Sequence, residues 1–210
     1  MIFDCDGVLV DSEGPMHEVL CADLQERGLD ITPEECLAQF MGKSIEGVVD
    51  TARQLGAVLP LGWKQQLYAK VHARLEAGVD LVPGVREFVE TLRERGIPFC
   101  VASNGSEAKI ELMLSQHGLW DAFRDACFSA QQVGIAKPEP GLLRHAITAM
   151  GGAANPVVIE DSPVGLQAAA AAGLPCIMLG SHVPVGADYA QVPVFSQMDS
   201  LADHILSLAD

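Results

Sequence analysis

A chain of 210 residues, 49% of them hydrophobic, is long enough to bury one sizeable core together with a small insert. Its 28 acidic residues outnumber its 13 basic residues, and the net charge of −15 argues against nucleic acid or an anionic membrane as a partner. No apolar run reaches the ~18 residues of a spanning helix, and no basic segment precedes an apolar one at the N-terminus. We therefore expect neither a transmembrane segment nor a signal peptide.

The six cysteines are spread along the chain without any C-x-x-C pair, so the sequence has neither the spacing of a zinc site nor that of a disulfide framework. Most of them lie in apolar runs, which is typical of reduced, packed thiols. Because disulfides persist mainly in oxidising compartments, this pattern favours a cytoplasmic protein.

The chain opens with an apolar run, Met1 to Phe3, that leads directly into two carboxylates, Asp4 and Asp6, and then Gly7. In an extended chain residues i and i+2 face the same side, so the two carboxylates begin on one side. Two like charges at that distance are unfavourable unless a cation lies between them or one carboxyl group keeps a proton. The alternative is a strand that ends in a solvated acidic turn.

Residues 13–80 carry helical patterns and no strand pattern. The segment Thr32-Pro33-Glu34-Glu35 has the form of a capping box, with threonine at the N-cap, proline at N1 and glutamate at N3. Apolar residues at helical spacing predict three further helices, at about 15–27, 44–55 and 63–77. We therefore expect a helical domain at 13–80, inserted after the first strand. Its two ends should lie close together because the first domain resumes after it.

From residue 81 onward, short apolar segments alternate with helical patterns. The predicted strands lie at 98–102, 126–128, 157–159, 176–179 and 193–195. The fully apolar ones are expected where helices cover both faces of a parallel sheet. The alternation predicts an α/β domain with a doubly wound, Rossmann-like parallel sheet, formed by residues 1–12 and 81–210.

Polar residues follow three of the strands, and in open parallel sheets ligands bind beyond the carboxyl ends of the strands. These segments are Asp4-Cys5-Asp6, Ser103-Asn104-Gly105 and Glu160-Asp161-Ser162, and Lys137 lies between the last two amid prolines. Each alone is weak evidence, because Ser-Asn-Gly is usually a turn and Lys-Pro is usually a solvated loop. Together they offer a nucleophile, a proton donor, hydroxyl and amide donors, an ammonium group and carboxylates for a divalent ion. Phosphoryl transfer requires this combination.

These four segments resemble the four motifs of the haloacid dehalogenase-like hydrolases, in the branch of β-phosphoglucomutase and the sugar-phosphate phosphatases. The matching residues are D-C-D-G-V-L-V-D-S from Asp4, S-N-G from Ser103, K-P-x-P from Lys137 and E-D-S-P-x-G-x-x-A-A-x-A-A-G from Glu160. The resemblance spans essentially the whole chain. It implies a Rossmann-like core with an inserted all-helical cap, and the activity of a phosphoric monoester hydrolase.

The resemblance implies a role for each matching residue. Asp4 is expected to attack phosphorus and form an aspartyl-phosphate, while Asp6 protonates the leaving oxygen and later deprotonates the attacking water. Ser103, the Asn104 amide and the adjoining Gly105 are expected to hold phosphate oxygens, and Lys137 to link the nucleophile to the phosphoryl group. Similar enzymes that act on haloacids or phosphonates lack the second aspartate, so its presence favours phosphate esters.

The resemblance also implies Mg²⁺ as cofactor. Its expected ligands are Asp4, Asp161, the backbone carbonyl of Asp6, and Glu160 either directly or through water. The physical reason is independent of the family, because a carboxylate cannot approach a dianionic phosphate unless charge is cancelled. Magnesium prefers oxygen ligands, which suits a site without a His or Cys cluster.

The helical insert is expected to act as a mobile cap over the site. Lys43 and Ser44 are the cap-loop residues expected to contact the distal end of the substrate, although a helix stop followed by an N-cap serine explains them equally well. The expected partner is a small phosphorylated metabolite, such as a sugar phosphate or a phospho-sugar acid of the 6-phosphogluconate type. A monomer is favoured.

Two other functions are consistent with the motifs. One is a β-phosphoglucomutase-like phosphotransferase, and the other is a non-catalytic binding module. The mutases carry a cap histidine where this chain has Met16, with His17 one residue later. This difference, together with the S-N-G segment, favours hydrolysis over phosphotransfer. Since every chemical position of the motifs is occupied, the binding module is the weakest of the three.

Overall fold

The computed structural model describes residues 1–41, 43, 45–152, 154–180 and 191–208. The chain forms two compact units. The larger comprises Met1–Asp11 and Asp80–Asp210, and the smaller comprises Ser12–Val79. Within the described residues, no helix combines the length and the apolar character that crossing a membrane requires.

The smaller unit is helical. Its helices are α1 (Glu13–Glu26), α2 (Pro33–Phe40), α3 (Ile45–Gln54) and α4 (Trp63–Glu76). The predicted capping box starts α2: the Thr32 hydroxyl accepts a hydrogen bond from the Glu35 N–H, and the Glu35 carboxylate accepts one from the Thr32 N–H. Apolar side chains from all four helices pack into one core, among them Leu24, Phe40, Val48 and Trp63.

A buried carboxylate links two helices of this unit. Asp23 on α1 accepts hydrogen bonds from Trp63 Nε1 at 2.5 Å, Arg27 Nε at 2.7 Å and Lys70 Nζ at 2.7 Å. Burial by itself raises the pKa of Asp23, but these donors outweigh it and lower the pKa to about 2. The ionised Asp23 therefore ties α1 to α4.

The larger unit contains a six-stranded parallel sheet. The strands of the described residues, in chain order, are β1 (Ile2–Phe3), β2 (Val10–Asp11), β3 (Asp80–Leu81), β4 (Cys100–Ser103), β5 (Cys127–Ser129), β6 (Val158–Glu160), β7 (Cys176–Leu179) and β8 (Val194–Phe195). The order across the large sheet is β5-β4-β1-β6-β7-β8, and β2 pairs with β3 in a separate antiparallel ribbon. The prediction of no strand in 13–80 was therefore wrong at Asp80. Strands of two residues are too short to show an alternating pattern.

Helices cover both faces of the large sheet. They are α5 (Val85–Glu94), α6 (Glu107–Ser115), α7 (Trp120–Phe123), α8 (Ala130–Val133), α9 (Gly141–Ala149), α10 (Pro163–Ala172) and α11 (Met198–Ser207). Successive strand residues face opposite sides. Ile2 accordingly packs with Leu142 of α9 and Leu166 of α10, whereas the Phe3 ring meets Phe88 of α5 edge-on at 5.8 Å. The predicted doubly wound parallel sheet is confirmed.

Candidate active site

The three strands that carry the predicted motifs are neighbours in the sheet. Ile2 of β1 is level with Cys100 of β4 on one side and with Val158 of β6 on the other. Because the strands are parallel, their carboxyl ends lie at one edge, as the sequence predicted. The backbone N–H of Asp4 continues this pairing by donating to the Ile159 carbonyl at 2.9 Å.

The chain leaves β1 through a tight loop over residues 5–10. The Gly7 N–H donates to the Val10 carbonyl at 2.8 Å, and the Leu9 N–H donates to the Cys5 carbonyl at 2.9 Å. Gly7 has φ +74°, and a Cβ at this position would lie 1.8 Å from Asp161 Oδ2. Glycine is therefore required here on two counts: it adopts the left-handed backbone, and it lets the Asp161 carboxylate approach the loop.

A buried ammonium group joins two of the predicted motifs. Lys137 Nζ lies 2.7 Å from Asp4 Oδ1 and 2.5 Å from Glu160 Oε1, and the residue is 6% exposed. Burial favours a neutral lysine, but the two carboxylates outweigh it and raise the Lys137 pKa. Burial likewise raises the pKa of Asp4, against the effect of Lys137 and with a smaller contribution from Glu160 and Asp6.

Glu160 is held at both of its carboxylate oxygens. Lys137 binds Oε1, and the Ser162 hydroxyl donates to Oε2 at 3.0 Å. The Ser162 oxygen in turn accepts from the Gly165 N–H at 3.0 Å as the N-cap of α10. A Cβ on Gly165 would lie 1.8 Å from the Glu160 carboxyl carbon. The absence of a side chain there makes room for the buried carboxylate, a role that the sequence did not reveal.

The S-N-G segment begins at Ser103, the last residue of β4, and holds the Lys137 loop. The Lys137 N–H donates to Asn104 Oδ1 at 2.8 Å, and Asn104 Nδ2 donates to the Lys137 carbonyl at 3.1 Å. Ser103 is buried, and its hydroxyl oxygen accepts from the Gly105 N–H at 3.0 Å. The Asn104 side chain thus fixes the backbone that carries the lysine. Phosphate binding by Ser103, the Asn104 amide and Gly105 stays a prediction.

Asp6 has a cationic partner that sequence reasoning missed. Lys109 Nζ, from α6, lies 2.6 Å from Asp6 Oδ1. Burial favours neutral Lys109, but Asp6 outweighs it and raises the Lys109 pKa. One signal was present in the sequence: Lys109 stands in the first turn of a helix, where the helix dipole disfavours a cation.

Three of the four predicted metal ligands come together. Asp4, Glu160 and Asp161 each offer one carboxylate oxygen, and these oxygens all lie within 4.8 Å of one another. An all-oxygen set of anionic donors fits Mg²⁺, which prefers such ligands and completes its coordination with water. The fourth predicted ligand, the backbone carbonyl of Asp6, lies in the loop over residues 5–10, two residues after Asp4.

The predicted substrate residues of the insert lie in the smaller unit. Lys43 Nζ donates to Thr51 Oγ1 at 2.7 Å. Ser44 lies outside the residues that the structure describes, so its predicted contact stays a prediction, as does that of Lys43.

The family model described as haloacid dehalogenase-like hydrolase matches residues 1–173. The chain belongs to this family. Membership confirms the resemblance drawn from the four motifs, and it confirms the prediction of a hydrolase enzyme. In this haloacid dehalogenase-like hydrolase, Lys137 pairs with Asp4 and Glu160, whereas Lys109 pairs with Asp6.

Similar proteins include phosphatases of phosphorylated metabolites. Hexitol phosphatase B of Escherichia coli (strain K12) is 32% identical over 191 residues, which cover 85% of this chain and 82% of the relative. The 6-phosphogluconate phosphatase of the same strain is 29% identical over 177 residues, 83% of this chain and 79% of the relative. The crystal structure of a HAD family hydrolase from Deinococcus radiodurans R1 with bound phosphate and sodium has a TM-score of 0.81 and 31% identity. It covers 99% of this chain and 95% of that chain.

Proposed function

We propose that this hydrolase is a Mg²⁺-dependent phosphomonoesterase that works through an aspartyl-phosphate. The observation that carries the proposal is the arrangement of Asp4, whose carboxylate contacts the buried ammonium of Lys137 and lies within 4.8 Å of oxygens of Glu160 and Asp161. A nucleophilic carboxylate can approach a dianionic phosphate only when positive charge lies nearby. Here the Lys137 ammonium and a cation held by the carboxylates would supply it.

Asp4 and Asp6 have different roles in the reaction. A carboxylate oxygen of Asp4 attacks phosphorus, the bond from phosphorus to the leaving oxygen breaks, and Asp6 transfers a proton to that oxygen. Asp6 then takes a proton from a water molecule, whose oxygen attacks the phosphorus of the aspartyl-phosphate. The bond between phosphorus and Asp4 breaks and inorganic phosphate is released, so Asp6 serves first as general acid and then as general base.

The cofactor would be held by Asp4, Glu160 and Asp161, with the Asp6 carbonyl as a further ligand. When bound, Mg²⁺ supplies positive charge that offsets the phosphoryl oxygens. The Lys137 ammonium offsets the repulsion between the Asp4 and Glu160 carboxylates and places a positive charge beside the nucleophile. Ser103 and the Asn104 amide would donate hydrogen bonds to the phosphoryl oxygens, beside Gly105, whose N–H donates to the Ser103 hydroxyl oxygen.

The proposed substrate is a small open-chain phosphorylated metabolite, either a sugar-alcohol phosphate or a phospho-sugar acid. The support comes from the two relatives named for hexitol and 6-phosphogluconate phosphatase activity. A screen of hexitol phosphates, 6-phosphogluconate and aldose phosphates for phosphate release tests this class. Higher kcat/KM on aldose phosphates than on both open-chain groups would contradict it.

Phosphate release from 4-nitrophenyl phosphate tests the chemistry itself. Asp4→Asn should abolish turnover, and EDTA should abolish it until Mg²⁺ is restored. The matched control is Asp121→Asn, since the Asp121 side chain is 82% exposed and contacts Arg124 on the surface. Turnover that survives Asp4→Asn or chelation would refute the mechanism. Conversion of a sugar 1-phosphate into the 6-phosphate without free phosphate would indicate the phosphotransferase instead.

A further inference from the structure

Lys109 is fixed in space by the start of α6. This helix begins at Glu107, with only Ser106 between it and the S-N-G segment, and the Ser106 hydroxyl caps it by accepting from the Lys109 N–H at 3.3 Å. Helical side chains lean toward the N-terminus of their helix. The capped backbone therefore directs the Lys109 side chain toward the carboxyl edge of the sheet, where Asp6 lies.

The ion pair between Lys109 and Asp6 is partly shielded from water. Its atoms lie 2.6 Å apart, and the two side chains are 20% and 24% exposed. A Cβ on Gly105 would lie 3.5 Å from Lys109 Cδ and 3.7 Å from Asp6 Oδ2. The S-N-G turn thus packs against both partners, and charge-assisted hydrogen bonds in such surroundings are short and directional.

Two effects oppose a lysine at this position unless it is paired. The dipole of α6 disfavours a cation in the first turn, and partial burial removes water from the ammonium. Lys137 already contacts Asp4 and Glu160, so each aspartate of the Asp4-Cys5-Asp6 segment contacts a different ammonium group. The contact with Asp6 supplies the pairing that offsets both effects.

We propose that Lys109 is a positioning residue: its ammonium holds Oδ1 of the Asp6 carboxyl group in place, so that Oδ2 can carry the proton that passes to the leaving oxygen. The inference rests on the proposed function of Asp6. A general acid acts only within hydrogen-bond reach of its target, and the Asp6 side chain can rotate about its own bonds unless a partner restrains it. Lys109 contributes such a restraint from α6, a helix that follows β4 and does not belong to the loop over residues 5–10.

The test uses two aryl esters with different leaving groups. Phenyl phosphate releases a basic phenolate that needs a proton, whereas 4-nitrophenyl phosphate releases a stable anion. In Lys109→Met, kcat/KM for phenyl phosphate should fall by about 10- to 100-fold, part of the 10²–10⁴ that a positioned acid contributes. For 4-nitrophenyl phosphate the expected change is below about threefold. Lys109→Arg, which keeps the ion pair, should restore most of the loss.

A double-mutant cycle tests whether Lys109 acts through Asp6. Asp6→Asn should show the same selective loss on phenyl phosphate, and adding Lys109→Met to it should cause no further loss. The inhibition constant of inorganic phosphate should be the same in Lys109→Met as in the parent. Equal losses on both esters, or weaker phosphate inhibition, would identify Lys109 as a phosphate-binding cation and overturn the proposal.

The remaining controls separate this inference from the proposed function. Arg124→Met removes an exposed cation of the same unit and should leave both esters unaffected. Circular dichroism and thermal unfolding verify that Lys109→Met is folded, and recovery in Lys109→Arg tests the charge independently. A parent chain inactive on both esters overturns the proposed function and this inference with it. A parent active on both, with Lys109→Met unchanged, overturns only the inference.

Discussion

Replacing Gly165 by alanine should destabilise the chain, although alanine is the better helix former. Gly165 lies in the first turn of the Ala-rich helix α10, where a Gly→Ala change alone favours the helix by at most about 1 kcal/mol. The new methyl group, however, would lie 1.8 Å from the Glu160 carboxyl carbon and 2.0 Å from both of its oxygens. Glu160 is fully buried, so its carboxylate cannot move into water.

The magnitude follows from the hydrogen bonds that Glu160 makes. Displacing its carboxylate disrupts the bonds from Lys137 at 2.5 Å and Ser162 at 3.0 Å. Hydrogen bonds to charged groups contribute about 1.5–3 kcal/mol each, so losing both costs about 3–6 kcal/mol. After the helix-propensity gain, we expect Gly165→Ala to lower the free energy of unfolding by about 2–5 kcal/mol. Mg²⁺ affinity should fall as well, because Glu160 belongs to the carboxylate cluster.

Urea unfolding followed by circular dichroism measures the stability, and titration calorimetry measures Mg²⁺ binding. Gly14→Ala is the matched control, since Gly14 is also helical but nothing lies within 4 Å of its added Cβ. It should be neutral or stabilising by at most about 1 kcal/mol. In a Glu160→Ala background the clash is absent, so Gly165→Ala should no longer destabilise. Parental stability and Mg²⁺ affinity in Gly165→Ala would refute the reasoning.

Three further substitutions have defined outcomes. Gly7→Ala should strain the backbone and displace the Asp161 carboxylate. Calorimetry should therefore show Mg²⁺ affinity reduced by about tenfold or more. Unchanged affinity would contradict the close approach of Asp161 to Gly7. Asp23 has a pKa lowered from 3.8 to about 2, so the stability it contributes is complete above 3.8 and is lost as the pH falls toward 2. The ionised Asp23 carboxylate thus contributes about 2 kcal/mol to the free energy of unfolding. Asp23→Asn should remove that pH dependence from acid unfolding curves, whereas Asp203→Asn should preserve it. Lys43→Ala should raise KM for the best substrate of the metabolite screen more than for 4-nitrophenyl phosphate; equal effects would exclude a role in recognising the substrate's distal end.

Local chemistry made most of the elements predictable from sequence. The Thr32 capping box and the serine caps at Ser106 and Ser162 all form as their residue types suggest. The short helices α7 and α8 were missed because four residues are too few to display a helical period. The same limit applies to the ribbon of β2 and β3.

Strand ends at the site departed from the sequence prediction for a physical reason. The strand predicted at 157–159 runs to Glu160 in β6, and the strand predicted at 98–102 runs to Ser103 in β4. A charged or hydroxyl side chain usually marks the end of a buried strand. Here both remain buried because partners satisfy them: Lys137, from a distant part of the chain, pairs with Glu160, and the nearby Gly105 N–H donates to Ser103. Such pairing depends on tertiary structure, which the local pattern does not contain.

The residues that sequence reasoning overlooked share one property, since each is locally unfavourable. Lys109 is a cation in the first turn of α6, and Gly165 is a weak helix former in the first turn of the Ala-rich α10. Within its own helix, each of these residues only lowers helix stability slightly. Their distant partners are Asp6 and Glu160: Lys109 places a positive charge beside Asp6, and Gly165 leaves space for the Glu160 carboxylate. Local rules are expected to fail at functional sites, so such residues deserve a search for distant partners.

The formal charges of the site explain why a divalent ion is the proposed cofactor of so acidic a chain. When every carboxyl group of the site is ionised, Lys109 and Asp6 cancel each other within their own ion pair. The remaining carboxylates, Asp4, Glu160 and Asp161, carry three negative charges against the single positive charge of Lys137. Two negative charges remain uncompensated, and unit charges 4 Å apart interact by about 4 kcal/mol at the effective dielectric constant of a protein surface. A divalent ion removes that excess before a dianionic phosphate arrives, whereas a monovalent ion leaves one charge in place. The same count shows the effect of giving Asp6 its own ammonium partner. If Asp6 shared Lys137, four carboxylates would face one positive charge, and the three remaining negative charges would exceed what one divalent ion can neutralise.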